Sequence, residues 1–268
     1  MAIVSPTLQP ATVVYPESDG KPMAETDLHR KQMTYLIVAL DDWYRAEPRV
    51  YVSGNLLIYY EEENIYKSVA PDTFVVFGVP KRERRIYKIW EEGKVPDVVV
   101  EITSKSTQNE DLEGKWALYA QLGVQEYFLF DPLAEYLDPL LQGYRLLDGV
   151  YRPIVPEPMG DGDMALRSQM LEVLIRQEGN WPILYDAQTG ERLLTPEEAL
   201  IAWREAETRA QQAETLARRE TKARHDAEAQ ARQTETQALQ NAAALQRAEE
   251  EIQRLKAEME RLRQGRSG

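Results

Sequence analysis

Apolar and polar positions along this chain follow two periods, and each switch between them marks an element. Residues 1–22 contain four prolines and neither period, which predicts a loosely ordered lead segment. Over residues 24–45, His29, Met33, Leu36, Ile37, Leu40 and Tyr44 recur at three- and four-residue steps, the spacing of a helix. Residues 49–62 predict a strand interrupted or bulged at Ser53, Gly54 and Asn55, and residues 68–79 a buried strand entered through Ala70, Pro71 and Asp72. Val98, Val99, Val100 and Ile102 form a third strand. Leu112, Trp116, Tyr119 and Leu122 then mark the stripe of an amphipathic helix, closed by Gly123 at its C-cap, and residues 124–132 make a fourth strand. Hairpins are predicted at residues 141–155, turning at Asp148-Gly149, and at 181–195, turning near Thr189-Gly190. Residues 167–177 fit either a short helix or an irregular edge.

The pattern changes at Thr195-Pro196-Glu197-Glu198, a capping box with proline in the first turn. A continuous helix to Arg263 follows, since this span has no further proline, no internal glycine and much Ala, Glu, Gln and Arg. Its apolar positions are heptad-like. Trp203, Ala210, Ala217, Arg224, Ala231, Ala238, Leu245, Ile252 and Met259 form one seven-residue series, and Ala199, Ala206, Ala213, Glu220, Ala227, Thr234, Asn241, Ala248, Leu255 and Leu262 the other, with Arg224, Glu220, Thr234 and Asn241 as polar interruptions. The alanine-rich first half is thin and the stretch from Leu245 to Leu262 stronger, which predicts a self-associating coiled coil against the alternative of a solvated single helix.

Two charged groups break the pattern inside the strand–helix unit at residues 95–115. Alternation puts Asp97 and Glu101 on one strand face with Val99, although carboxylates are rarely buried unless paired or bound to metal. At about 100° per residue, Lys115 falls within the helix stripe. Either Lys115 points into a site or its stem packs beside Trp116 and Tyr119 while the ammonium reaches water. Glu25 lies four residues before His29 on the first helix. These two are either a first-turn acid with a half-buried histidine, or two groups facing a site.

Composition narrows the chemistry. The chain has no cysteine and two histidines, so disulfides and thiolate metal sites are excluded and a histidine-rich zinc site is disfavoured. The first residues carry no basic flank or long apolar run, which predicts a cytoplasmic protein without a membrane span. The net charge of −13 sits mostly in residues 1–196, with 31 acidic and 19 basic side chains, against 14 and 13 beyond. Such a balance argues against general, tight binding of phosphate backbones. The one dense basic cluster of the globular part, Lys81, Arg82, Arg84, Arg85 and Lys88 with Tyr87 and Trp90 interleaved, reads as a solvated hairpin or loop or as a nucleic-acid contact.

The order through residue 132 is helix, strand, strand, strand, helix, strand. It allows Asp72 and Glu101 to meet on neighbouring strands. Two carboxylates at one sheet edge suit Mg²⁺, which takes one or two of them, keeps several waters and accepts phosphate oxygens. A nearby lysine would orient an attacking water or stabilise developing charge.

Asp72 after Pro71, then Glu101 on the next strand with a helix behind it, resembles the PD-(D/E)XK nuclease superfamily of restriction-endonuclease-like folds. More closely, the segments APDTFVVFG, VPDVVVEITSKST, EDLEGKWALYAQLGVQEYFLFDP and MAETDLHR resemble the Uma-type family of bacterial restriction endonucleases, over residues 23–150 and more weakly to 195. The resemblance implies an α/β (α+β) fold with a mixed central sheet flanked by helices. It divides the chain into a lead at 1–22, a nuclease-like domain at 23–195 and a helical coiled-coil tail at 196–268. It makes Asp72 and Glu101 the catalytic and metal-binding acids for Mg²⁺ or Mn²⁺. Thr103 stands where the superfamily has its lysine, and Lys115 matches the position to which the family moves it. Lys105, on the strand face of Glu101, competes for that role; Asp97 is an added ligand or a strand start; Glu25 matches a first-helix acid that some members add.

Three functions follow. The first is a metal-dependent endonuclease acting on DNA, dimeric through its coil. The second is a nuclease-like scaffold or binding module with little or no activity. The third is a sugar hydrolase using Glu101 with Asp97 or Asp72 as acid and base.

Overall fold

The computed structural model describes residues 13–18, 26–104, 110–160 and 162–264, and the side chains of 110–112 and 260–264 lie outside it. The chain falls into two units, residues 1–199 and 200–268. In the first, helix α1 (Asp27–Trp43) precedes β1 (Val50–Ser53), β2 (Ile58–Tyr59), β3 (Ser68–Val69), β4 (Thr73–Phe77) and β5 (Tyr87–Lys88). Then come a short α2 (Ile89–Glu92), β6 (Val98–Ile102), a π-helical turn (Glu110–Lys115) running into α3 (Trp116–Leu122), and β7 (Glu126–Phe130). The strands β8 (Leu141–Leu147), β9 (Val150–Pro153), β10 (Glu157–Pro158), β11 (Met164–Ser168), β12 (Val173–Glu178) and β13 (Trp181–Asp186) follow, and α4 spans Pro196–Gln264.

Six strands make the central sheet in the order β1-β4-β6-β7-β8-β9. Its neighbours are antiparallel except β6 and β7, which run parallel because the chain crosses over between them through the π-turn and α3. This is the mixed α/β architecture that the resemblance implies. β10-β11-β12-β13 form an antiparallel sheet, and β3-β2-β5 a small one.

The pleat of β6 divides the core in two. Val98, Val100 and Ile102 join Tyr35, Leu36 and Leu40 of α1 and Val173, Ile175 and Leu184 of the second sheet. Val99 faces the other way, into a cluster with Phe74, Val76, Tyr87, Tyr119 and Tyr127. Glu101 shares the parity of Val99 and therefore lies on the α3 side of the sheet.

Most predicted elements form, with shifted ends. Residues 167–177 are no helix: they span the end of β11 and most of β12, with Val173, Leu174 and Ile175 buried on both faces. Strands covered on both sides lose their alternation, which is why the pattern was ambiguous. Residues 81–94 also hold more than a loop, since β5 pairs in parallel with β2 and α2 ends on Gly93 at φ 68°. The interruption at Ser53–Asn55 has a steric cause. A Cβ on Gly54 would sit 2.0 Å from the Asp72 carbonyl oxygen, and the Asn55 N–H donates to the Pro71 carbonyl at 2.8 Å. The backbone that enters β4 is thus pressed against a side-chain-free position.

In the second unit α4 is a helix throughout its described length, and its side chains there are exposed, Leu245, Ile252, Leu255 and Met259 among them. Among the described residues no helix is long and apolar enough to cross a membrane.

Candidate active site

The second and third strands in the sequence pattern become β4 and β6, and their register sets the site. Thr73 lies opposite Val100 and Phe74 opposite Val99, so one step further Asp72 meets Glu101. There the ladder ends and side chains take over its hydrogen bonds. The Ile102 N–H donates to Asp72 Oδ2 at 2.7 Å, and the Asp72 N–H donates to Glu101 Oε2 at 3.2 Å. Each acid is held by the backbone beside the other.

Helix α3 and the turn before it cover Glu101. Lys115 ends the π-helical turn and Tyr119 lies one helical turn later, on the same face. Lys115 Nζ is 3.1 Å from Glu101 Oε1, and the Tyr119 hydroxyl donates to the same oxygen at 2.8 Å. The side chain of Glu101 is 1% exposed and that of Lys115 14%, so this ion pair is shielded from water. A π-turn places an extra residue in the helical path, a departure often found at functional sites. Burial, first, and the neighbouring Glu101 carboxylate push the Tyr119 hydroxyl well above the usual phenol range, so it remains a donor.

His29 comes from the first helix. The Thr26 hydroxyl caps α1 by accepting the His29 N–H at 3.1 Å, and His29 Nε2 lies 3.2 Å from Asp72 Oδ1. Of the two alternatives at the start of α1, this half of the pair faces the acids. Glu25 lies outside the described residues, as does Lys105.

Asp97 shares the face of Glu101 but not its place. Its Oδ2 accepts the Phe77 N–H at 2.7 Å and its Oδ1 is 3.4 Å from Lys94 Nζ, at the opposite end of β4. Four residues of strand, about 13 Å, separate it from Glu101. Thr103 is buried, and its hydroxyl is hydrogen-bonded to the Tyr136 hydroxyl. Tyr136 is brought there by the loop after β7, whose Glu135, Tyr136 and Leu137 N–H groups all donate to Asp131 Oδ2.

The basic cluster is balanced by acids. Lys81 is 2.9 Å from Asp41, Arg82 is 2.7 Å from Glu92, Arg85 is 2.6 Å from Glu17, and Lys88 is 2.8 Å from Glu91. Arg84 is buried: it binds both oxygens of Glu92 and stacks on Tyr51, 4.1 Å from the ring centroid. Arg82 and Arg85 are the members with exposed side chains.

Tyr119 and Gly54 are the site residues that the sequence pattern did not single out. Tyr119 reads as part of the apolar stripe, and its four-residue spacing from Lys115 was the available sign. Gly54 reads as an interruption, with no sign of which backbone it meets.

Among the described residues no group of three or more His, Asp and Glu side chains is arranged to hold a metal ion. Asp72 and Glu101 provide two carboxylates, the number Mg²⁺ takes when waters and phosphate oxygens complete its shell. Asp72 accepts one hydrogen bond at Oδ2, and a carboxylate oxygen has room for two, so the donor chemistry fits a hard divalent cation.

No curated protein matches the chain. Among solved structures it is similar to one described as "a putative nuclease belonging to DUF820 from Anabaena variabilis ATCC 29413", at 19% identity over 52% of this chain and 75% of that one, with a TM-score of 0.38. A family model, Uma2, described as "Putative restriction endonuclease", matches residues 9–203. That span holds the acids, the lysine and the sheet that joins them, and it is well over half of the sequence: the chain belongs to the Uma2 family.

Proposed function

We propose that the protein is a divalent-metal-dependent endonuclease that hydrolyses phosphodiester bonds, with DNA as substrate. The observation that carries this is the line Lys115–Glu101–Asp72, joined at 3.1 and 3.2 Å. Asp72 and Glu101 would hold Mg²⁺ or Mn²⁺. Such an ion supplies a water of lowered pKa and a polarised phosphoryl oxygen. The chain's own residues do the rest. Tyr119 and the Asp72 N–H fix the Glu101 carboxylate, which keeps its oxygens directed at the sheet edge. Lys115 offers an ammonium beside them to orient water or to meet negative charge on a phosphoryl group. Arg82 and Arg85 are the exposed candidates of the cluster for contact with the nucleic-acid backbone.

Full-length protein should cut DNA when Mg²⁺ or Mn²⁺ is added, and Asp72→Ala or Glu101→Ala should abolish cutting while circular dichroism shows the fold retained. A wild-type protein that leaves varied DNA and RNA intact with either ion would overturn the hydrolytic reading. A second reading, a nuclease-like scaffold, is favoured by Thr103: the motif's lysine position holds a buried hydroxyl committed to Tyr136. Calorimetry with Mn²⁺ separates the two, because a scaffold has no need of the metal. Under either reading α4 joins two copies as a coiled coil, supported by the exposed heptad positions Leu245, Ile252, Leu255 and Met259.

A further inference from the structure

The lead segment contributes one described piece, residues 13–18, and it lies on the aromatic side of the basic cluster. The Tyr15 ring packs edge-on against Tyr59, with centroids 4.9 Å apart, and tilted against Trp90 at 5.4 Å. Lys88 Nζ stands 4.7 Å from the same ring centroid. Two residues on, Glu17 Oε1 meets Arg85 at 2.6 Å. Hydrogen bonds anchor the piece: the Tyr59 hydroxyl donates to the Pro16 carbonyl and the Glu63 N–H to the Tyr15 hydroxyl, both at 2.7 Å. With the strap in place Tyr59 is 1% exposed.

An aromatic ring packed edge-on against one aromatic side chain and tilted against another, beside an ammonium and followed by an anion on a guanidinium, presents the same kinds of group as one nucleotide of a single strand. Proteins that hold single strands use that combination, an aromatic platform for the base and a cation for the phosphate. We infer that residues 13–18 are a strap covering a single-stranded nucleic-acid site made by Tyr59, Trp90, Arg85 and Lys88, with Tyr15 in place of a base and Glu17 in place of a phosphate. The inference rests on the proposed action on nucleic acid, and it adds a second surface whose access the chain itself controls. Lifting the strap exposes the platform and frees Arg85 from its internal anion; Lys88 keeps Glu91 as a partner.

The test uses the full chain in EDTA, so that binding is read without cutting, and fluorescence anisotropy of a labelled single-stranded oligonucleotide. Tyr15→Ala with Glu17→Gln should bind about tenfold tighter than the native chain. The salt dependence should steepen by about 0.7 in log–log slope, the contribution of one added phosphate contact. Arg85→Ala should change binding less than about twofold in the native chain and remove most of the gain in the strap-lifted one. Glu47→Gln makes the same change of charge at an exposed position elsewhere and should give no gain.

Unchanged affinity in the double variant, with its fold intact by circular dichroism, overturns the inference. So does an equal gain from Glu47→Gln, which would reduce the effect to net charge, or an equal gain for inorganic polyphosphate, which would leave the rings without a role. If the double variant fails to fold, Glu17→Gln alone keeps the Tyr15 packing and must still steepen the salt slope. Cleavage after adding Mn²⁺ is scored separately. A chain that gains affinity and never cuts overturns the hydrolytic reading and upholds the strap, and one that cuts without the gain does the reverse.

Discussion

Glu101 has the most constrained side chain in the site. One oxygen takes the Tyr119 hydroxyl and the Lys115 ammonium, and the other takes the Asp72 N–H. Hydrogen bonds to a buried charge contribute about 1.5–3 kcal/mol each, so Tyr119→Phe should lower unfolding stability by about that amount in urea titrations. It should also reduce cleavage, since a looser Glu101 misplaces one of the two carboxylates that would hold the ion. Lys115→Met removes one side of a shielded ion pair and leaves the Glu101 charge behind, which should cost about 3–5 kcal/mol by the same measurement and abolish cutting. A lysine that merely covers apolar surface would instead tolerate methionine with little change. Gly54→Ala tests the backbone: its Cβ would meet the Asp72 carbonyl at 2.0 Å, so β4 must shift and cleavage should fall even where the protein still folds.

At the scale of elements, the pieces that carry the site are tied down by buried or half-buried charge pairs as well as by apolar packing. Arg84 and Glu92 fasten the segment after β4 to α2, and Arg84 lies on Tyr51 of β1. The hydrogen bond from Arg84 holds the Glu92 carboxyl below its ordinary value of 4.5. A carboxylate with a depressed folded pKa adds stability above its unfolded pKa and loses it as pH falls through the folded one. The stability gap between native protein and Glu92→Gln should therefore be full at neutral pH and close below 4.5, as read from urea midpoints across that range. Equal gaps at pH 7 and pH 3 would show that the pair contributes through packing alone. Glu126 plays a comparable part without exposure: it takes the Arg145 guanidinium, the Ser168 hydroxyl and the Gln169 N–H, and so joins β7, β8 and the turn after β11.

At the scale of the whole molecule, α4 is the longest element. From Ala199 onward the described side chains of this 69-residue helix are exposed, and helices in water draw most of their stability from apolar packing. On the proposed coiled coil, two copies joined at the heptad positions near its end would bring two nuclease-like domains into one particle, as a cut in both strands of a duplex would need. Leu245→Lys with Ile252→Lys should convert a dimer to a monomer in light scattering of the full chain. An unchanged mass would remove the coil from the account of assembly and leave the single-site chemistry untouched.

The sequence by itself determined most of the elements and marked Glu101 and Lys115 as charges set against their surroundings. A strand carrying Glu101 against its apolar pattern, and a helix carrying Lys115 inside its stripe, are local contradictions of hydrophobic patterning, visible because period and burial are local properties. The register that sets Asp72 beside Glu101 while leaving Asp97 a strand's length away was not local, for it depends on how β4 pairs with β6. The fold alone also decided that Gly54 presses on Asp72, that Tyr119 is a donor to Glu101 as well as packing, and that the basic cluster is met by acids from α1, α2 and the strap. These are contacts between residues distant in the chain, and no periodicity in a single sequence encodes which distant residue a side chain will meet.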